Sequence, residues 1–253
     1  MFVSHNISGR SGLTWPKGNE TQTVFASGLW LGGKVNAQIR VTVAEFSGES
    51  ASGPWGADHD DPKHKIYKVS RSDLTDPIKN TDFQNWPVEL GAPFVDNNEN
   101  RTYEPLPDGS DHPEFIGDQV LWMVMNDGVD SLHVVFHSTP LDVEIQRTVF
   151  GFDRRDVYGD VMFIKDLIIN KGRNNIEDTY VGLWSDPDLG DASDDFVGCD
   201  TTLGMGIAYN DGGDANFADY SGGTPAVGYD FFQGPMIPSI GDTATMFGRK
   251  SPD

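Results

Sequence analysis

Between Asp118 and Ser185 the chain passes through five segments of one kind: DQVLWMVMN (118–126), LHVVFHS (132–138), VEIQRTVFGF (143–152), DVMFIKDLIIN (160–170) and IEDTYVGLWS (176–185). Each is short, rich in β-branched and aromatic residues, and bounded by turn-forming residues, which is the pattern of strands. In the third, Val143, Ile145, Arg147 and Val149 alternate with their neighbours and so define two faces. The run Val120–Met125, VLWMVM, predicts a buried strand. No 12-residue stretch carries a helical period. The spacing, with turns at Asn126-Asp127-Gly128 and Asn170-Lys171-Gly172, predicts an all-β fold whose antiparallel sheets stack as a β-sandwich. Upstream, Thr21 to Phe46 predicts a hairpin with its turn at Gly32-Gly33.

Between these patterned regions lie long irregular ones. Residues 47–65 collect Gly, Ser, Pro and Asp. Ile66 to Ser70 allows one short strand, and 71–118 continues without periodicity, stiffened at Trp86-Pro87 and Gly91-Ala92-Pro93. The expectation is a single domain over 1–253 with a loop-rich insertion at about 47–118. An insertion of that length needs something to hold it, and a bound ion is one candidate. The tail from Thr201 is rich in Gly, Asp and Phe; its aromatic stretch VGYDFFQGP (227–235) suits the cover of a sheet edge, and GRKSPD at the end carries no strand or helix signal.

Thirty-nine acidic against 18 basic residues give a net charge of −21. That balance argues against nucleic acid or an anionic membrane as partner, since both need a positive surface, and points to cations. No apolar run reaches the length of a membrane-spanning helix. The one cysteine, Cys199, excludes an internal disulfide and any Cys-rich metal site, and is expected to be a small buried residue.

Six of the carboxylates fall within fifteen residues: Asp186, Asp188, Asp191, Asp194, Asp195 and Asp200. Such crowding resists ionisation unless a cation, a donor network or water relieves it. Asp186, Asp188 and Asp191 occupy positions 1, 3 and 6 of a loop bent at Gly190, and Asp194 and Asp195 follow where a cage would close. Hard oxygen ligands around a glycine turn suit Ca2+, which takes six to eight oxygens in loose geometry. The loop departs from an EF-hand in having Asp at position 6 and no Glu at position 12; a solvated acidic loop is the plainer alternative. A second calcium-type spacing is Asp96, Asn98 and Asn100 at positions 1, 3 and 5, with Thr102 and Glu104 at 7 and 9. Asp108, Asp111 or Asp118 would complete its shell. Here Arg101 stands where a sharp turn favours Gly, so a metal-free turn of Asn and Asp side chains fits equally well. Asn210 to Asp214 is a turn or a third, weaker loop of this sort.

Other chemistry is less well supported. Paired carboxylates serve glycoside hydrolases, but a catalytic acid needs isolation in an apolar pocket, the opposite of this crowding. No nucleophile elbow, zinc-protease, P-loop or dinucleotide motif is present, so no catalytic residue is assigned. His59 and His64 with Asp58, Asp60 and Asp61 would suit a transition metal, though a polar loop explains them as well. His133 and His137, on one strand face, would lie about 13 Å apart, too far to share an ion. A carbohydrate-binding module is the second reading: Trp122 and Trp184 lie in apolar strands, which leaves Trp55 and Trp86 as platforms for sugar rings.

ASGLWLGGKV (26–35), WPVELGAPFVDNNEN (86–100), FIGDQ (115–119), YVGLWSDPDLGDASDDFVGCDTTL (180–203) and VGYDFFQGP (227–235) together resemble a group of uncharacterised bacterial extracellular proteins. Their longer members end in the sorting domain read by type IX secretion. The resemblance implies export and a cell-surface role, and no reaction. It departs in showing no signal peptide and no sorting domain, which implies a piece of a longer protein, and in Arg101, where the related loop has Gly. The combined expectation is a secreted, calcium-stabilised structural or adhesive module whose partners are calcium, surface glycans, or other copies or domains of the same protein.

Overall fold

A computed structural model describes residues 11–16, 21–46, 48–236, 243–246 and 249–252. In chain order its strands are β1 (Leu13–Thr14), β2 (Gln22–Val24), β3 (Ala26–Val35), β4 (Gln38–Thr42), β5 (Ala51–Ser52), β6 (Tyr67–Ser70), β7 (Phe94–Val95), β8 (His112–Pro113), β9 (Gln119–Asn126), β10 (Val143–Gly151), β11 (Phe163–Asn170), β12 (Glu177–Asp186), β13 (Asp195–Asp200), β14 (Met205–Asn210), β15 (Val227–Tyr229), β16 (Thr243–Met246) and β17 (Arg249–Pro252). The described α-helix is one turn, Thr81–Gln84, so the fold is all-β, built of several antiparallel sheets. The chain divides into two compact units, Trp30–Tyr180 and Met1–Leu29 with Val181–Asp253.

The larger sheet of the Trp30–Tyr180 unit has the order β11-β10-β9-β5, with β6 also pairing β9. Along β9 the side chains alternate as the sequence pattern requires, and Val120, Trp122 and Val124 turn inward. Tyr67 and Val69 of β6 join them, and so do Phe83, Trp86 and Ala92 from the irregular stretch that follows. The long insertion is therefore held first by its own apolar side chains. No ion is needed to fix residues 67–92; burial of Phe83 and Trp86 against Trp122 does so, each contributing on the order of 2–3 kcal/mol. Trp86 is 2% exposed, its ring tilted against Trp122 and its Nε1–H donated to the Pro93 carbonyl at 2.9 Å. It cannot serve as a sugar platform.

Three sequence expectations shift here. The hairpin turn lies at Asn36-Ala37, both at positive φ, with Val35 opposite Gln38; β3 runs straight through Gly32-Gly33. Gly33 is needed in the strand interior because a Cβ there would sit 2.5 Å from the Ile176 side chain. Residues 132–138 form no strand. Their backbone is secured by buried side chains instead, with Val135 N–H donating to Glu49 at 2.8 Å and His133 Nε2–H donating to the Asp127 carbonyl at 2.8 Å. At the other end of the chain, Arg249–Pro252, read as patternless, pairs with Thr243–Met246.

In the other unit, Val181–Asp186 lies beside Ala26–Leu29. Ser27 Oγ donates to the Trp184 carbonyl at 3.0 Å, and Phe25 N–H to the Asp186 carbonyl at 2.9 Å. β13, β14 and β15 form a three-stranded sheet. Cys199, on β13, is exposed rather than buried, because that stretch of β13 turns both sets of side chains outward.

Candidate calcium centre

The acidic loop connects β12, which ends at Asp186, to β13, which starts at Asp195. It is anchored at its middle. Leu189 is fully buried, and Gly190 exchanges hydrogen bonds with Gln22: its N–H donates to the Gln22 carbonyl at 3.1 Å, and its carbonyl accepts the Gln22 amide at 3.0 Å. Gly190 adopts φ +78°, and a Cβ there would lie 2.2 Å from an Asp214 carboxylate oxygen. Only glycine meets both demands. Asp214, 4% exposed, receives the N–H groups of Asp191 at 2.7 Å and Asn216 at 2.5 Å. It is a positioning residue for the loop. Its signal in the sequence was the turn Asn210 to Asp214, whose link to Gly190, 24 residues away, no local pattern reveals.

The six aspartates then separate by what they touch. Asp191 is exposed and turns back on Ser193, which donates through N–H and Oγ and holds its carboxyl below the usual range. Asp194 accepts the Asn210 amide at 2.6 Å, and Asp200 caps Thr202 and Leu203. The remaining three are part-buried, and Asp188 lies near enough to feel both of the others. Asp186 is raised above the usual carboxylate range by burial, Asp188 by burial and then by the charges of Asp186 and Asp195, and Asp195 chiefly by burial. Asp195 Oδ2 accepts the Leu189 N–H at 2.9 Å, while Oδ1 is buried with no hydrogen-bond partner among the described residues. A buried carboxylate oxygen without a donor is costly, and it is the atom a hard cation would satisfy. Among the described residues no three His, Cys, Asp or Glu side chains are gathered as a ready-made metal cage. An ion would draw in Asp186, Asp188 and Asp195 together with loop carbonyls.

The Asp96 loop satisfies itself. Asp96 accepts the N–H groups of Asn100 at 3.2 Å and Arg101 at 2.6 Å, Asn98 accepts Asn100 N–H at 3.1 Å, and Asn100 accepts Thr102 N–H at 2.7 Å. The amides of Asn98 and Asn100 both donate to Glu104 Oε2. Arg101 takes φ +62°, the left-handed conformation the loop requires, despite its side chain. Asp111 is fully buried beneath and receives Asn97 N–H and Glu104 N–H, each at 3.0 Å. Asp118 is engaged elsewhere, accepting Asp153 N–H at 2.9 Å beside Arg71. In the 58–64 loop, Asp58 and Asp61 cap their own turns. No protein-family model, curated protein or solved structure matches the chain.

Proposed function

We propose that the chain is a calcium-stabilised structural or adhesive module of a bacterial cell-surface protein. The observation that carries this reading is Asp188, part-buried in the loop and facing the charges of both Asp186 and Asp195. A part-buried carboxylate beside two others resists ionisation, and a divalent ion relieves that resistance. The donors are all oxygen, which favours Ca2+ over softer metals. The loop is anchored through Gly190 but leaves its aspartates half-buried, a combination that suits weak sites of extracellular modules, with dissociation constants of roughly 10⁻⁴–10⁻³ M. The Asp96 loop, which carries the oxygens of Asp96, Asn98, Asn100 and Glu104 within nine residues, is a secondary calcium site on this reading. Export to the bacterial surface rests on the resemblance of residues 26–35, 86–100, 115–119, 180–203 and 227–235 to uncharacterised bacterial extracellular proteins.

Calcium at about a hundred times its dissociation constant stabilises the bound state by roughly 2.7 kcal/mol per site. Thermal unfolding at fixed ionic strength should therefore show a midpoint several degrees higher in calcium than in EDTA. The double variant Asp186→Ala/Asp188→Ala should lose the larger part of that shift. Equal calcium shifts in parent and variant would sink the reading.

A further inference from the structure

Within the Trp30–Tyr180 unit a second cluster lies apart from the acidic loops, around Trp55. Asn126 reaches across to the carbonyls of Gly53 and Pro54 at 3.0 and 3.2 Å, and Gly53 N–H donates to the Val124 carbonyl at 3.0 Å, which ties this loop to β9. Trp55 itself is held at three points. Its backbone N–H donates to Glu144 Oε2 at 3.0 Å, and its indole Nε1–H donates to Asp142 Oδ1 at 3.3 Å. The ring edge rests on Gly128, where a Cβ would come within 2.6 Å of Nε1. Glu144 is only 3% exposed and is fixed in turn by the Gln146 amide at 3.1 Å and by Lys171 Nζ at 3.3 Å. Yet the Trp55 residue is 43% exposed.

A large apolar ring, locked in one orientation and left open to water, is arranged for contact with something outside the fold. Its immobilisation is already complete, so a ligand stacking on it meets little entropic cost. The groups beside it suit hydroxyls: the Asp142 carboxylate accepts and the Lys171 ammonium donates, while Glu144, buried and already bonded, holds the ring in place. An apolar face with a few fixed polar groups at its edge complements a pyranose ring, which presents C–H groups on one face and hydroxyls around its rim. The two carboxylates here and the net charge of −21 disfavour a polyanion. We propose that Trp55, with Asp142 and Lys171, forms a binding subsite for an uncharged polysaccharide. This site stands independently of the calcium loops.

Affinity electrophoresis of the full chain in gels containing xylan, laminarin, galactomannan or hydroxyethylcellulose, run in calcium and again in EDTA, tests it. At least one neutral polymer should retard the protein. Trp55→Ala should weaken retardation at least tenfold, Trp55→Tyr should retain part of it, and Phe136→Ala, at an exposed apolar residue elsewhere, should leave it unchanged. Should Trp55→Ala fail to fold, Lys171→Met serves in its place. With 5-fluorotryptophan incorporated, the retarding polymer should shift the Trp55 fluorine resonance, assigned with Trp55→Phe. No retardation by any neutral polymer, equal retardation of Trp55→Ala, retention by polygalacturonate alone, or an unmoved Trp55 resonance would each overturn the proposal.

Discussion

Asp111 illustrates how a single side chain organises many residues of irregular backbone. Its carboxylate receives the N–H groups of Glu104 and Asn97 and the Ser110 hydroxyl, and these donors, Glu104 foremost, hold its pKa below the ordinary value despite its burial. A depressed folded-state pKa contributes stability above the ordinary carboxylate range and loses it as pH falls through the folded value. Asp111→Ala should leave two inward-facing N–H groups unpaired and cost about 2–4 kcal/mol. It should also flatten the acid limb of a stability-versus-pH curve below about pH 4, which urea titrations of parent and variant would measure. At this scale the sequence was legible where chemistry is local. The spacing of Asp96, Asn98 and Asn100 offered either a calcium loop or a metal-free turn of Asn and Asp side chains, and in the structure these side chains accept the loop's own N–H groups. Asp111 and Asp214 were not legible as keystones, because their partners are chosen by tertiary approach. Arg101 was misleading: a left-handed φ was required, but the hydrogen bonds from its own N–H and that of Asn100 to Asp96 compensate for a non-glycine residue there.

At the scale of elements, runs of β-branched and aromatic residues between turn signals identified β9, β10, β11 and β12, while burial alternates along β9 and not along β10, where Val143, Glu144 and Ile145 are all buried. The pattern failed at 132–138, where buried Glu49 accepts the Val135 N–H, and buried Asp127 holds the chain just beyond by accepting the Leu141 and Val143 N–H groups. The Gly32-Gly33 signal failed for a related reason, since close approach of Ile176 to Gly33 explains glycine as well as a turn does. Between β10 and β11, Arg147 stands directly opposite Asp166, and its Nε and Nη2 donate to the two carboxylate oxygens at 2.7 Å each. Arg147 is 1% exposed. A one-residue slip of β11 would bury that guanidinium without its partner, so the pair fixes register. Asp166→Ala should therefore destabilise the Trp30–Tyr180 unit by about 3–5 kcal/mol, whereas the exposed neighbour Leu167→Ala should cost well under half of that. Trp86→Ala belongs to the same scale; removing a ring packed against Trp122 should cost about 3–5 kcal/mol. Differential scanning calorimetry of the three variants would rank them.

For the whole molecule the governing quantity is a net charge of −21, concentrated locally in the 186–200 loop, where Asp188 feels Asp186 and Asp195. Burial raises all three folded-state pKa values above their unfolded ones. The folded chain then binds more protons than the unfolded chain in the window between, and stability must fall as pH rises through it. Asp127, raised by burial in the other unit, adds to the same slope. In EDTA, then, the melting midpoint should increase as pH is lowered from neutrality towards the ordinary carboxylate range near pH 4, because protonation relieves what calcium would otherwise relieve. The triple variant Asp186→Asn/Asp188→Asn/Asp195→Asn removes the local charges while keeping shape, so it should melt higher than the parent in EDTA at pH 7 and show a shallower pH dependence. Saturating calcium should raise the parent at pH 7 and reduce its slope, since the ion holds the carboxylates charged in the folded state alone. Sodium chloride screens surface repulsion over roughly 8–10 Å and should raise parent and triple variant alike, which separates general screening from occupancy of the loop. A parent whose midpoint in EDTA falls with decreasing pH as steeply as that of the triple variant would show that these aspartates are freely solvated, and the acidic loop would then carry no stabilising ion.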